Sequence, residues 1–70
     1  MNLDRYSYLW KEKKDEYVVV STKSGYGIAN KVKKSVVIIN DPKLATALAQ
    51  EMIKHGSKIY SSVIAAFADV

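Results

Sequence analysis

The sequence predicts one α+β domain, in which a four-stranded antiparallel β-meander precedes one amphipathic helix and a short C-terminal strand or helix. Three observations predict this fold. Short segments rich in β-branched and aromatic residues alternate with polar turns as far as residue 39. An Asp-Pro pair then opens a segment with apolar residues at helical spacing. A chain of 70 residues has room for a single hydrophobic core, so residues 1–70 form one domain.

The first two strands are predicted from aromatic and β-branched residues. Tyr6, Tyr8 and Trp10 fall on one face of an extended segment, because strand side chains alternate with a period of two. The polar run over residues 12–16 then forms a turn. Residues 17–22 are almost entirely β-branched or aromatic, and they give the clearest strand in the chain.

The next two strands follow a predicted hairpin. Ser24 and Gly25 suit a two-residue turn, because glycine tolerates the positive φ that such turns require. Residues 26–30 form the third strand, and the lysine-rich residues 31–34 form the next turn. Residues 35–39 are apolar on both faces, so we expect this fourth strand to be central or covered on both sides.

The predicted helix has clear signals at both ends. Asp41 can cap the free amides, and Pro42 suits the first helical position because it has no N–H. The helix is expected to run to about His55, with Gly56 as a left-handed C-cap. Its apolar stripe consists of Leu44, Ala45, Leu48, Ala49, Met52 and Ile53.

The C-terminal tail leaves two alternatives open. Residues 58–61 suit an edge strand, and residues 63–68 suit a short helix because they contain three alanines. Both faces of the predicted sheet carry apolar residues, although only one long helix is predicted. The tail, a second copy of the chain or another protein must therefore cover the second face. The expected partner or dimer contacts are Tyr6, Val63, Ile64 and Phe67.

The positive charge is concentrated in the first half of the chain. The net charge is +4, and residues 1–34 account for all of it with eight basic and four acidic side chains. A meander places the turns at residues 12–16 and 31–34 at one end of the sheet. The candidate nucleic-acid contacts at this basic end are Lys13, Lys14, Lys31, Lys33 and Lys34, with Tyr8 and Trp10 as base-stacking groups.

This basic end also has a simpler interpretation. Lysine-rich turns keep a small β protein soluble and its strand edges unpaired. The chain has ten lysines and one arginine, whereas recognition of base edges favours arginine. Any nucleic-acid contact is therefore expected to involve the phosphate backbone and to have little sequence specificity.

Several classes of function lack a sequence signal. The chain has no cysteine, its one histidine is His55, and its carboxylates are scattered, so no metal, cofactor or catalytic site is expected. Gly25 and Gly27 lack the third glycine and the strand-to-helix context of a dinucleotide site. No secretory signal opens the chain, and no apolar stretch is long enough to span a bilayer, so we expect a cytoplasmic protein without membrane contact.

These observations favour a small, non-catalytic binding or regulatory module that acts through protein contacts as a homodimer. The alternative is a sequence-tolerant nucleic-acid-binding module that uses the lysine-rich end of the sheet. The sequence identifies neither the partner nor the biological process.

Overall fold

The computed structural model describes residues 3–12 and 14–68, and it confirms an α+β fold with a four-stranded sheet. The strands are β1 (Tyr17–Thr22), β2 (Gly25–Asn30), β3 (Ser35–Val37) and β4 (Ile59–Tyr60). The helices are an N-terminal 3₁₀ helix (Asp4–Leu9), α1 (Pro42–Lys54) and α2 (Val63–Ala68). The strand order is β3-β2-β1-β4. The sheet is mixed, because β2 pairs antiparallel with β1 and β3 whereas β4 pairs parallel with β1.

The predicted first strand is wrong, since Asp4–Leu9 forms a 3₁₀ helix. Leu3, Tyr6 and Leu9 are spaced by three, and a helix with three residues per turn brings such residues to one side. Leu9 and Trp10 are neighbours in sequence, yet both are buried in the same core cluster. A strand would have sent them to opposite faces, so the period of three prevails over the aromatic period of two.

The hairpin between β1 and β2 is present, and its loop lies one residue before the predicted turn. Thr22 pairs with Gly25, so Lys23 and Ser24 form the two-residue loop. Gly25 has a φ of +129°, in the left-handed region that glycine tolerates.

The register of the hairpin divides its side chains between the two faces of the sheet. The first face carries Val19 and Ile28 as cross-strand partners, and it packs beneath α1 and the 3₁₀ helix. The buried residues of this main core are Leu9, Trp10, Val19, Ile28, Leu48, Ala49 and Met52. The second face carries Val18 paired with Ala29 and packs beneath Ala66 of α2.

The predicted fourth strand corresponds to β3, which is short and lies at the edge of the sheet. The prediction of a central or doubly covered strand is therefore wrong. β3 ends at Val37, and the chain then continues to Asp41, the N-cap of α1. Val36 is 50% exposed and Ile38 is 84% exposed, so apolar residues on both faces did not indicate burial on both.

Helix α1 begins and ends where its sequence signals predict. The Asp41 carboxylate accepts a hydrogen bond from the Lys43 N–H at 3.0 Å, and Pro42 occupies the first turn. The helix ends at Lys54, and Gly56 has a φ of +91° as expected of a C-cap glycine. With 13 residues α1 is the longest described helix, and within residues 3–12 and 14–68 no helix has the length and apolarity needed to cross a membrane.

The tail forms both of the structures that the sequence left open. β4 joins the sheet beside β1, and the Val19 N–H donates to the Lys58 carbonyl at 2.9 Å. The Ser62 hydroxyl then accepts the Ala65 N–H at 3.0 Å and caps α2. The tail therefore covers part of the second face within a single chain.

Removing the Asp41 cap should weaken the fold. We expect Asp41→Ala to lower the free energy of unfolding by about 1 kcal/mol, because the Lys43 amide loses its acceptor. Asp41→Asn should retain most of the stability, since an asparagine oxygen caps equally well. Urea denaturation followed by circular dichroism measures both variants. An equal loss in the two would show that the carboxylate's charge, and not its hydrogen bond, stabilises α1.

Candidate functional site

The outer side of β3 has backbone groups that point away from the sheet. The two-residue loop makes Thr22 and Gly25 a hydrogen-bonded pair, and such pairs recur at every second residue of an antiparallel ladder. The backbone of Ala29 therefore faces β1. The backbones of its neighbours Ile28 and Asn30 face β3.

The same alternation fixes the direction of the backbone along β3. Ser35 and Val37 pair with Asn30 and Ile28, the residues of β2 whose backbone groups point towards β3. The N–H and C=O of Val36, between them, therefore point outward. Two hydrogen bonds elsewhere obey the same alternation. The Lys31 N–H donates to the Glu16 carbonyl across the hairpin at 2.9 Å. The Val19 N–H points away from β2 and donates to the Lys58 carbonyl beside β4.

The side chains continue this alternation past the end of the strand. Val37 and Ile39 are partly buried against the main core. Val36 and Ile38 point to the other face and remain largely exposed. We call residues 35–39 the open edge, because they combine outward backbone groups with exposed apolar side chains.

An apolar groove lies on the second face beside the open edge. It encloses about 180 Å³, with Val36 on one wall and Val63 of α2 on the other. Gly27 forms part of the lining, and a Cβ placed there would meet no atom within 4 Å. The missing side chain therefore leaves the floor of the groove open between β3 and α2.

The predicted partner contacts have different environments. Tyr6 is partly buried against the main core, and Val63 and Phe67 pack against the second face. Ile64 is 82% exposed. The sequence did not predict the open edge, because the apolar residues 35–39 fit a covered strand equally well.

Asn30 is a buried polar residue that sequence reasoning also missed. Its side-chain oxygen accepts the N–H groups of Val32 and Lys33 at 3.0 and 2.9 Å. Its amide donates to the Glu16 carboxylate at 3.3 Å. Asparagine at the end of a strand commonly forms such a turn, so Asn30 positions the connection from β2 to the open edge.

The predicted basic residues have different environments in the described structure. Lys14 and Lys31 line a cavity of about 320 Å³ together with Lys58. Lys34 instead donates a hydrogen bond to the Phe67 carbonyl, and Lys33 is exposed on the turn before β3. Lys13 lies outside the described residues.

The lysine cavity lies at the C-terminal end of α1. Gly56 and Asp15 also line it, and the Lys14 ammonium would lie 3.3 Å from a Cβ on Gly56. A lysine there complements the negative end of the helix dipole. The Asp15 carboxylate reduces the positive field. The Ser57 hydroxyl in the lining is buried without a hydrogen-bond partner among the described residues.

The two aromatic residues predicted to stack on bases make contacts within the chain. Trp10 is 8% exposed and stacks on His55, with ring centroids 5.9 Å apart and planes at 11°. Tyr8 meets Tyr17 edge-on at 5.5 Å. Burial raises the pKa of Tyr8, with smaller contributions from Tyr17 and Tyr6. Neither ring lies on an open face of the sheet.

Metal-binding groups and similarity to known proteins give no further indication of function. Within residues 3–12 and 14–68, no group of three or more histidine, aspartate or glutamate side chains is placed to hold a metal ion. His55 instead lies 3.7 Å from the Glu51 carboxylate, one helical turn away. No protein-family model, curated protein or solved structure matches this chain significantly. The open edge and the lysine cavity are therefore the two candidate sites.

Removing the Asn30 side chain should destabilise the turn before β3. We expect Asn30→Ala to lower the free energy of unfolding by about 1–2 kcal/mol, because two turn amides lose their acceptor. Glu16→Gln keeps an oxygen opposite the Asn30 amide, so it should cost less than about 1 kcal/mol. Urea denaturation provides both values. A larger loss for Glu16→Gln than for Asn30→Ala would mean that the charge of Glu16 dominates this network.

Proposed function

We propose that this chain is a small, non-catalytic binding or regulatory module that acts through protein contacts, and that a partner strand adds to the open edge. One observation carries the proposal: the outward backbone groups of Val36 lie beside two exposed apolar side chains, Val36 and Ile38. An unpaired strand edge of this kind is a template for strand addition. A second copy of the chain is the first partner to consider.

The sequence of the open edge supports this interpretation. Proteins usually protect edge strands with lysine, proline or a bulge within the strand. Here residues 35–39 contain one serine and four aliphatic residues. The nearest lysine, Lys34, is engaged with the Phe67 carbonyl of the tail. Complete burial of an exposed valine or isoleucine is worth about 1.5–3 kcal/mol, so covering Val36 and Ile38 favours association.

The position of α2 limits where a partner fits. Ala66, Val63 and Phe67 already cover the second face over β1. The second face therefore does not need a partner along its whole width. A strand added to β3 would cover the open edge and the adjoining groove.

Selection of peptides from a random display library tests the proposal. The protein should enrich extended peptides with apolar residues at alternate positions, because only alternate side chains reach the groove. Val36→Pro should reduce their affinity about tenfold or more, because it removes the outward N–H. The ladder to β2 uses Ser35 and Val37 and would remain intact.

A matched control separates the backbone contact from the side-chain contact. Val36→Ala keeps the N–H and removes only the isopropyl group, so it should weaken the selected peptides less than Val36→Pro. Circular dichroism and urea denaturation verify that both variants are folded. Failure to enrich any peptide, or equal binding to the wild-type protein and to the Val36→Pro variant, would refute strand addition at β3.

A second candidate function, weakly specific nucleic-acid binding, is favoured by the grouping of Lys14, Lys31 and Lys58 around one cavity. Phosphate contacts by three lysines predict an affinity that falls about tenfold or more between 50 and 200 mM salt. Fluorescence anisotropy of labelled single-stranded and duplex oligonucleotides measures this dependence.

Charge-matched variants distinguish the cavity from net charge alone. Lys14→Ser with Lys31→Ser should weaken oligonucleotide binding several-fold more than Lys23→Ser with Lys43→Ser, because only the first pair lies at the cavity. Equal losses would show that net charge alone attracts the oligonucleotide. No binding at low salt would exclude this candidate.

A further inference from the structure

We infer that the strand added to the open edge is β3 of a second copy, paired antiparallel about a two-fold axis with Val37 opposite Val37 of the second copy. This inference rests on the proposed function, since it names the partner at the same surface. It is carried by the distribution of charge along residues 33–41 and by the alternation of the β3 backbone.

The segment around β3 is complementary to itself in the antiparallel direction. Residues 33–41 read KKSVVIIND, with a basic start and an acidic end. Lys33 lies in the turn that precedes β3. Antiparallel pairing about Val37 therefore brings the basic turn of one copy near Asp41 of the second copy, and the two-fold axis repeats this approach. Both side chains are exposed in the single chain. Opposite charges facing each other across strands stabilise a pair, whereas like charges destabilise it.

The outward backbone groups restrict the alternatives to a few registers. The backbone N–H and C=O of Val36 point away from β2, and the same alternation applies to Ile38. Hydrogen bonds to a second copy must therefore join these residues. Centring the pair on Val36 would set Lys34 against Ile38. Centring it on Ile38 would set Val36 against Asn40. Only the register centred on Val37 sets Val36 against Ile38.

This register also brings the exposed apolar side chains together. Val36 and Ile38 lie on the second face, so the two copies would gather four such side chains there. This cluster would adjoin the groove between β3 and α2 in each copy. Val37 would meet its symmetry mate on the first face, beside the main core. The isologous arrangement is closed, so it ends at a dimer.

The small size of the contact predicts a weak dimer. A ladder of about five residues from each copy buries well under the roughly 800 Å² per partner of a standard stable interface. We therefore expect a dissociation constant on the order of 0.1 mM. Sedimentation velocity over a concentration series that reaches about ten times this value resolves such an equilibrium.

The register is tested with single cysteines, because the chain has none of its own. Val37→Cys should form a disulfide between copies under mild oxidation, since residues directly opposite across the axis lie within disulfide range. Val36→Cys and Ile38→Cys are the matched controls, and both should cross-link several-fold more slowly. This order is the reverse of what exposure alone predicts, because Ile38 is 84% exposed and Val37 is partly buried.

The charge pairing is tested with variants that preserve the helix cap. Lys33→Asp brings a carboxylate near Asp41 of the second copy at both ends of the ladder and should raise the dissociation constant several-fold by like-charge repulsion. Adding Asp41→Asn removes the repulsion, retains the cap and should recover most of this loss. Lys23→Asp makes the same change in charge on the hairpin loop and should have little effect.

The outcomes separate this inference from the proposed function. A wild-type chain that stays monomeric at every concentration, or that cross-links fastest through position 36 or 38, overturns the inferred dimer. Binding of selected peptides to such a monomer would leave the proposed function intact with a foreign strand as the partner. A dimer that Val36→Pro does not weaken would contradict the inference, because its interface would lie elsewhere.

Discussion

The alternating direction of backbone groups and side chains along the β1–β2 hairpin is the constraint on which the rest of the structure depends. A two-residue loop makes Thr22 and Gly25 a hydrogen-bonded pair. That pair fixes, for every other residue of both strands, the direction of its backbone groups and the face on which its side chain lies. The alternation assigns Val19 and Ile28 to the main core, and it assigns the neighbouring residues to the face beneath α2. It also decides which backbone groups of β2 are available to β3. The outward direction of the Val36 backbone is therefore a consequence of the two-residue loop between β1 and β2.

Sequence reasoning succeeded where local chemistry alone decides the structure. Asp41, Pro42 and Gly56 define α1 through capping and backbone preferences that need no tertiary contact. The β-branched run of β1 is similarly local. Reasoning failed where two periods competed, as in the N-terminal 3₁₀ helix. Its aromatic residues alternate, whereas Leu3, Tyr6 and Leu9, which contact the main core, are spaced by three. The parallel pairing of β4 depends on where α1 returns the chain, which no local pattern records.

The open edge shows a different limit of sequence reasoning. Apolar residues on both faces of residues 35–39 are compatible with a central strand and with an edge strand that awaits a partner. The sequence alone does not separate these cases, because the position of β3 depends on β4 joining the sheet beside β1 and not beside β3. The surroundings of the predicted basic residues depend on tertiary contacts in the same way. Lys34 donates a hydrogen bond to the Phe67 carbonyl of the tail, and Lys14 lies beside Gly56 after α1, and the turn sequences record neither contact.

The charged residues at the ends of the open edge are also held by the fold. The Asn30 side chain accepts the Lys33 N–H, and the same residue bonds Glu16 across the hairpin. One Asp41 oxygen accepts the Lys43 amide, which leaves the second oxygen for another donor. The Lys33 backbone and the Asp41 carboxylate are thus ordered before any association, so less conformational entropy remains to be lost when the two charges approach each other. A contact this small can form only if most of that ordering is already complete, and the capped helix and the asparagine turn supply it.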